Sequence, residues 1–239
     1  MQPAVELIQV TKAYGGLRPL RVRALALHPG EQVALAGFDQ TTAEVFVNLV
    51  TGATLPEEGE VRVFGRPTSA ITDSDDWLNT VDRFGIVSQR VVLLDQLTAA
   101  QNIALSLTLD LDDVPPHVAA TVEALCAEVG LAPATRQSPV GEAGVAVRHR
   151  IRLARALAGE PAVLLVEHPT AGLTPGDVAS LGADLQRAAS DRQIAVMVLV
   201  ADPSAAQPFA PQILALNGAT GELTAVRKRG FLGRVFGTR

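Results

Sequence analysis

The 239-residue chain has a single cysteine, Cys126, which excludes an internal disulfide. It lies in an apolar helical stretch, where we expect a buried side chain. Long apolar runs are also lacking, and the longest, Ile194–Ala201, is far shorter than the roughly 20 residues that span a bilayer. The first residues contain neither the basic nor the apolar segment of a secretory signal. We therefore expect a cytoplasmic chain that reaches the inner or plasma membrane only through a partner.

An excess of positive charge is lacking too. The chain has 20 Lys and Arg against 25 Asp and Glu, and this net charge of −5 does not favour nucleic acid as a partner. Its four histidines are scattered without the spacing of metal ligands, so we expect no metal site of their own. The length suits one large domain or two small ones, and because 48% of the residues are apolar the chain can bury a full core.

Predicted strands alternate with predicted helices along the chain, a pattern typical of an α/β domain with a largely parallel sheet. Two continuous apolar runs, Val163–Val166 and Ile194–Val200, have the length of buried parallel strands. The other predicted strands are two edge strands at Glu6–Val10 and Leu25–Leu27, a terminal hairpin at Gln212–Leu216 and Leu223–Val226, and Val33–Ala36, Val61–Phe64 and Phe84–Val87. Helices are predicted at Glu44–Thr51, 99–107, 118–131, Arg150–Ala158 and Pro175–Ala189.

Residues 33–65 have the frame of a phosphate-binding loop: a short apolar strand, a loop that begins with glycine, an apolar helix and a second strand. A working P-loop reads G-x-x-x-x-G-K-[ST]. Its backbone N–H groups surround the phosphates, its lysine contacts the terminal phosphates, and its hydroxyl binds Mg²⁺. Here Gly37 is followed, after four residues, by Thr42, Ala43 and Glu44. The sequence therefore predicts the scaffold of a phosphate site without the side chains that bind phosphate.

Six segments follow one another in a specific order: KAYGG, Gly37–Gly52, LPEEGEVRVFG, FGIVSQRVVLLDQLTAAQNIAL, RHRIRLARALAGEPAVLLVEHPTAGLTP and AVMVLVADPSAA. In this order they resemble the ATP-binding cassette subunit of ABC transporters, over about Val5 to Val226. The resemblance implies an α/β fold of the P-loop NTPase class, a RecA-like core with antiparallel edge strands and an inserted helical subdomain at about 93–158. It implies a cassette domain over residues 1–226, followed by a basic C-terminal tail at 227–239.

The resemblance also implies roles for five residues. Tyr14 occupies the place of the aromatic residue that stacks on adenine, Gly37 begins the Walker A loop, and Gln89 is the Q-loop glutamine. Glu167 and His168 occupy the Walker B aspartate and catalytic glutamate positions. Structural interpretations stand beside these: Tyr14 as a half-buried loop residue, Gln89 as a polar end of a strand, and Glu167 with His168 as polar residues at the solvent edge.

The departures from the family pattern fall on residues that carry chemistry. Loss of the P-loop lysine removes about 4 kcal/mol of attraction for a phosphate about 4 Å away, at an effective dielectric near 20. The remaining helix N-terminus contributes roughly 1 kcal/mol. The substituted positions are Gln40 and Thr42 for glycines, Ala43 for the lysine, Glu44 for the hydroxyl, Thr174 for the D-loop aspartate and Ala201 for the switch histidine. The signature motif falls either at Ala143–Val147 or at Val140–Glu142, and neither segment has its serine and paired glycines.

In the family, each ATP site combines the Walker motifs of one cassette with the signature of another, so a homodimer of this chain would have two defective sites. We expect a degenerate cassette subunit of a membrane transport complex, with a structural or regulatory role and weak or absent binding of ATP and Mg²⁺. Its expected partners are a transmembrane subunit, through the Gln89 region, and a second, intact cassette. One alternative is an active ATPase that uses Glu167 for metal and His168 as base. Another is a pseudo-ATPase scaffold outside transport.

The tail at 227–239 combines five basic residues with Phe231, Leu232, Val235 and Phe236. This composition suits an anionic membrane surface or a docking site on a partner. Its three glycines favour a solvated tail instead.

Overall fold

The computed structural model describes residues 2–226, so the predictions for the tail at 227–239 lie outside the described residues. Within the described range, no helix is both long and apolar enough to cross a membrane. The strands in this range are β1 (Val5–Lys12), β2 (Leu20–Leu27), β3 (Gln32–Ala36), β4 (Glu58–Val63), β5 (Arg66–Pro67), β6 (Phe84–Val87), β7 (Val163–Glu167), β8 (Ala195–Val200), β9 (Gln212–Leu216) and β10 (Leu223–Ala225).

Several helices begin at a side chain that accepts a backbone N–H of the first turn. These N-caps are Asp39 for α1, Asp73 for α2, Thr98 for α3 and Thr174 for α7. The helices are α1 (Gln40–Val50), α2 (Ser74–Val81), α3 (Ala99–Ala104), α4 (Pro116–Glu128), α5 (Pro133–Arg136), α6 (Val145–Ala158) and α7 (Pro175–Arg192). Helices α3 to α6 all lie between β6 and β7 in the chain.

The larger sheet has six strands in the order β10-β9-β3-β8-β7-β6. The pairs from β9 to β6 are parallel, and β10 adds to the edge as an antiparallel hairpin partner of β9. This arrangement confirms the predicted α/β class, its largely parallel sheet and the terminal hairpin. Every residue of β7 and β8 is buried, as their continuous apolar sequences predict.

A second sheet, in the order β2-β1-β4-β5, is antiparallel throughout. The predicted edge position is therefore wrong for the first strand. β1 lies between β2 and β4, because Val5 pairs with Leu27 on one side and with Val63 on the other.

The central strands have apolar layers on both faces. Alternate residues of β7 illustrate this, since Leu164 and Val166 join a core with α4, α6 and α7, whereas Leu165 joins a core with α1 and the antiparallel sheet. Cys126 is buried in the first of these cores, as predicted. The two cores pack on both faces of β3, β6 and β7. Because these strands run parallel, their carboxyl ends lie at the same edge of the sheet.

Candidate functional site

Ligands of open α/β sheets bind at the carboxyl ends of the strands, and the predicted site residues meet there. Gly37 follows β3, Gln89 follows β6, and Glu167 with His168 ends β7. A cleft of about 330 Å³ at this edge is lined by Asp39, Gln40, Ser88, Gln89, Glu167, His168, Thr170, Ala171 and Ala201. An adjoining cleft of about 320 Å³ includes Tyr14, Arg18, Gly37, Asp39 and Thr42 in its lining. The structure thus places all five predicted residues around two neighbouring clefts.

Helix α1 begins at Gln40, four residues before the predicted start, so most of the expected phosphate loop is the first turn of a helix. The reason is local. Asp39 is a strong N-cap, and the residues that replace glycine at positions 40 and 42 favour helical backbone angles. The Ala43 N–H donates to the Asp39 carbonyl at 2.9 Å, a regular helical bond. Within residues 37–44, only Gly37 has a left-handed backbone, with φ of 93°.

The Asp39 carboxylate lies at the N-terminus of α1, where the backbone of a P-loop would face a phosphate. It accepts the Thr42 N–H at 2.8 Å and the Thr42 hydroxyl at 2.7 Å. These hydrogen bonds, the backbone one foremost, hold the pKa of Asp39 below its usual value because they favour the charged form; the nearby His168 acts in the same direction. The helix N-terminus therefore already has an anion of the chain's own.

Glu167 is buried, with 4% of its side chain exposed, and its two oxygens have partners within the chain. Arg90 donates Nη2–H to Oε1 at 2.5 Å and Nε–H to Oε2 at 3.3 Å, and the Ser88 hydroxyl donates to Oε2 at 3.1 Å. The interpretation of Glu167 as a solvent-edge residue is therefore wrong. Its carboxylate is enclosed because the segment after β6 folds over the end of β7.

The same guanidinium reaches the first turns of α1. Arg90 Nη1 lies 3.2 Å from Oε1 of Glu44. Burial alone lowers the pKa of Arg90, but the hydrogen bond that it donates to Glu167 and the charges of Glu167 and Glu44 outweigh burial and raise the pKa above its usual value. The guanidinium thus bridges residues 44 and 167, the two positions that face the metal in the family pattern.

His168 is half-buried directly beside this ion-paired cluster. Its backbone has a φ of 46°, in the left-handed region, and its N–H donates to the Leu199 carbonyl at 2.9 Å. Its ring Nε2 is buried without a hydrogen-bond partner among the described residues. The ring therefore borders the cleft, and the backbone that holds it is in the strained left-handed region.

The remaining predicted positions have structural roles as well. Tyr14 is half-buried in the loop between β1 and β2, and Thr174 is the N-cap of α7, where its hydroxyl accepts the Asp177 N–H at 3.3 Å. The Ala201 carbonyl accepts the Gly37 N–H at 3.1 Å. Gln89 is exposed, two residues beyond β6.

Sequence reasoning missed Asp39, Ser88 and Arg90. A signal for Arg90 existed, because two new glutamates at positions 44 and 167 need a cation between them and Arg90 adjoins the Q-loop position. No local pattern joins these residues, since 46 positions separate Glu44 from Arg90 and 77 separate Arg90 from Glu167.

Known proteins that are similar to this chain identify its family. A family model described as ABC transporter matches residues 20–171. The chain belongs to the ABC transporter family. The phosphonates import ATP-binding protein PhnC of Anaeromyxobacter dehalogenans is 32% identical over 81% of this cassette and 40% of its own length. The ribose import ATP-binding protein RbsA of Jannaschia sp. is 30% identical over 75% of this cassette.

The match spans only 34% of that ribose import protein, so the cassette covers about a third to two fifths of these relatives. It covers 84% of the lipoprotein-releasing system ATP-binding protein LolD of Pseudomonas syringae, which is 28% identical. Solved cassettes share the fold. CbiO1 of Clostridium perfringens, described as part of the ABC transporter complex cbiONQ, has a TM-score of 0.79 at 17% identity, over 94% of this cassette and 88% of that chain. The bacterial ABC transporter cassette MJ0796 has a TM-score of 0.76 at 22% identity, over 94% and 99%.

ABC cassettes in general bind ATP and Mg²⁺, and the residues of this cassette do not fit that ligand as they stand. The lysine that would meet the terminal phosphates is Ala43, and its side chain is buried. Glu44 replaces the metal-binding hydroxyl. The Arg90 guanidinium bonds both carboxylates that flank the metal position.

Proposed function

We propose that this cassette is a degenerate nucleotide-binding subunit of a membrane ABC transporter complex, with a structural or regulatory role and no independent ATP hydrolysis. The observation that carries the proposal is the Arg90 bridge between Glu44 and Glu167. A carboxylate that already has a bidentate arginine partner is a poor metal ligand, because the metal would have to displace the arginine.

Weak or absent binding of ATP follows from the same residues. A triphosphate would meet the carboxylates of Asp39 and Glu44 without the compensating lysine, and the Asp39 carboxylate already accepts the Thr42 N–H. At an effective dielectric near 20, each such charge about 4 Å from a phosphate changes the interaction by about 4 kcal/mol.

The alternative of an active ATPase with Glu167 as metal ligand and His168 as base has less support. Both oxygens of Glu167 accept hydrogen bonds within the chain. The feature that favours this alternative is the His168 Nε2, which has no hydrogen-bond partner within residues 2–226.

The expected membrane partner is a transmembrane subunit that contacts the Gln89 region, at the cytoplasmic face. A cleft of about 370 Å³ beside this region has a largely apolar lining that includes Val47, Trp77, Val81 and Val91. Val92 projects next to it with 72% of its surface exposed. An apolar surface of this kind on a rigid support favours a protein partner. A second, intact cassette would supply the Walker motifs of one ATP site, and this chain would supply the altered signature side of that site.

We also propose the domain organisation expected from the family. Residues 1–226 would form the cassette, helices α3 to α6 would belong to an inserted helical subdomain at about 93–158, and residues 227–239 would form a separate basic tail. The run of helices between β6 and β7 supports this division.

We propose that the residues needed for hydrolysis are lost at several motifs and not at the P-loop alone. Phosphate release from ATP by the purified chain and by its Ala43→Lys/Glu44→Ser variant tests this proposal. We expect no turnover above background in either protein, because the Walker B and switch positions differ as well. The control is an intact ABC cassette assayed in parallel. Turnover in the double variant would show that the P-loop alone was defective, and turnover in the parent would overturn the proposal.

A further inference from the structure

The segment that follows β6, residues 88–95, is held by side chains from three directions. Toward the α6 side, Arg152 Nε donates to the Val91 carbonyl at 3.0 Å and Arg155 Nη1 donates to the Val92 carbonyl at 2.9 Å. These two arginines form no ion pair among the described residues. Burial lowers the pKa of both arginines, and both donate hydrogen bonds to backbone carbonyls.

The far end of the same segment is fixed equally well. The buried Asn102 side chain accepts the Leu94 N–H at 2.8 Å and donates to the Leu94 carbonyl at 3.0 Å. Arg148 Nη1 lies 3.0 Å from the side-chain carboxylate of Asp95. The backbone carbonyl of Asp95 accepts the Gly141 N–H at 2.9 Å. Asp95 is thus tied to two parts of the helical region.

The third direction is the sheet edge, where Arg90 is the link. The Arg90 guanidinium contacts Glu167 of β7 and Glu44 of α1. The backbone N–H of Arg90 donates to the Ser88 hydroxyl at 3.2 Å. Removal of this one side chain would leave two carboxylates facing the same space with no cation described between them.

We propose that Arg90 is a positioning residue that takes the place of the metal ion, so that residues 88–95 are locked to α1 and β7 whether or not nucleotide is present. This inference rests on the proposed function of the same site. The segment that we expect to contact the membrane partner would then present one fixed surface, because the cation that holds it is covalently part of the segment.

Charge and geometry both support a metal-replacing role over a surface ion pair. The Arg90 side chain is 35% exposed, but the side chain of its main partner, Glu167, is only 4% exposed, so solvent screens this pair less than an open one. The contact with Glu167 is bidentate, through Nε and Nη2, and the third nitrogen, Nη1, contacts Glu44. A lysine could supply the charge but not this forked geometry.

Hydrogen–deuterium exchange of the full chain tests the lock. In Arg90→Ala we expect the amides of Arg90 and Val91, at the end of residues 88–95 that Arg90 holds, to exchange about tenfold faster than in the parent. The Leu94 amide, which Asn102 accepts, should change less. The matched control is Arg192→Ala. Arg192 makes the same bidentate contact with one glutamate, Glu128, at 30% exposure, far along the chain from the site. The Arg192→Ala variant should leave hydrogen–deuterium exchange at residues 88–95 unchanged.

Rescue by a divalent cation separates metal replacement from simple packing. In Arg90→Ala, millimolar Mg²⁺ or Mn²⁺ without nucleotide should restore slow exchange at 88–95, and the parent should not respond. Adding Glu44→Gln to that variant should abolish the rescue. Arg90→Lys, which keeps the charge and serves if the alanine variant does not fold, should exchange at an intermediate rate without responding to Mg²⁺.

Unchanged exchange in Arg90→Ala, or faster exchange that Mg²⁺ does not reverse, would overturn this inference. Either result is independent of the proposed function, which is judged by nucleotide turnover of the parent chain. A parent that hydrolyses ATP would refute the function even if the exchange results came out as expected.

Discussion

The first turn of α1 leaves backbone N–H groups without helical partners, and the Asp39 carboxylate accepts the one at Thr42. Replacement of such a cap by alanine costs about 1 kcal/mol. We therefore expect Asp39→Ala to lower the free energy of unfolding by about that amount at neutral pH. Asp39→Asn keeps an acceptor and should lose less.

The pH dependence of this effect has a definite sign. The pKa of Asp39 is lowered in the folded chain from a reference value of 3.8, so the charged cap stabilises the fold fully above that value. Its contribution is lost as the pH falls below 3.8 through the folded pKa. Denaturant unfolding at a series of pH values should show the gap between parent and Asp39→Ala shrinking only in that acid range. Equal stability of the two proteins at neutral pH would contradict the capping role.

At the scale of elements, α6 and α7 are joined by a nearly buried ion pair. Arg150 Nη2 lies 3.0 Å from Asp184 Oδ2 and also donates to the Ser180 hydroxyl, and Arg187 approaches Asp184 from the same helix. Asp184→Ala leaves Arg150 buried without its counter-charge, so we expect a loss of about 3 kcal/mol in unfolding free energy.

The double replacement Arg150→Met with Asp184→Leu should cost less than the single one, because no buried charge remains unpaired. Arg187 also loses its partner, but its side chain is 51% exposed and stays hydrated. Thermal or denaturant unfolding of the three proteins measures this difference. A double variant less stable than Asp184→Ala would show that the pair itself, and not the orphaned arginine, governs the packing of α6 on α7.

Sequence patterns located most elements, and the failures have physical causes. β6 was predicted to the residue because a buried strand is a continuous apolar run. Helix α2 was missed because it is only about two turns long and buries no residue. The start of α1 was placed too late because the family frame suggested a loop where the substituted residues form a helical turn.

For the whole molecule, the family and the sheet could be predicted because they depend on patterns that recur along the chain. The charge network of the site could not, since Arg90 contacts two residues far away in sequence and only the folded sheet edge brings them together. The sequence shows which positions lack the residues of the family pattern. It does not show that Arg90 contacts the glutamates at two of those positions. An internal anion, Asp39, lies at the N-terminus of α1, and an internal cation, Arg90, lies between the carboxylates of Glu44 and Glu167. The proposed function interprets these two groups as replacements for ligands of the site.

The most direct test of this account is equilibrium binding of ATP to the purified chain by titration calorimetry, with and without Mg²⁺. The account predicts no saturable binding at millimolar nucleotide under either condition, because the site has its own counter-ions and no lysine. Tight, Mg²⁺-dependent binding would contradict it, since the nucleotide would then have displaced Arg90 from Glu44 and Glu167.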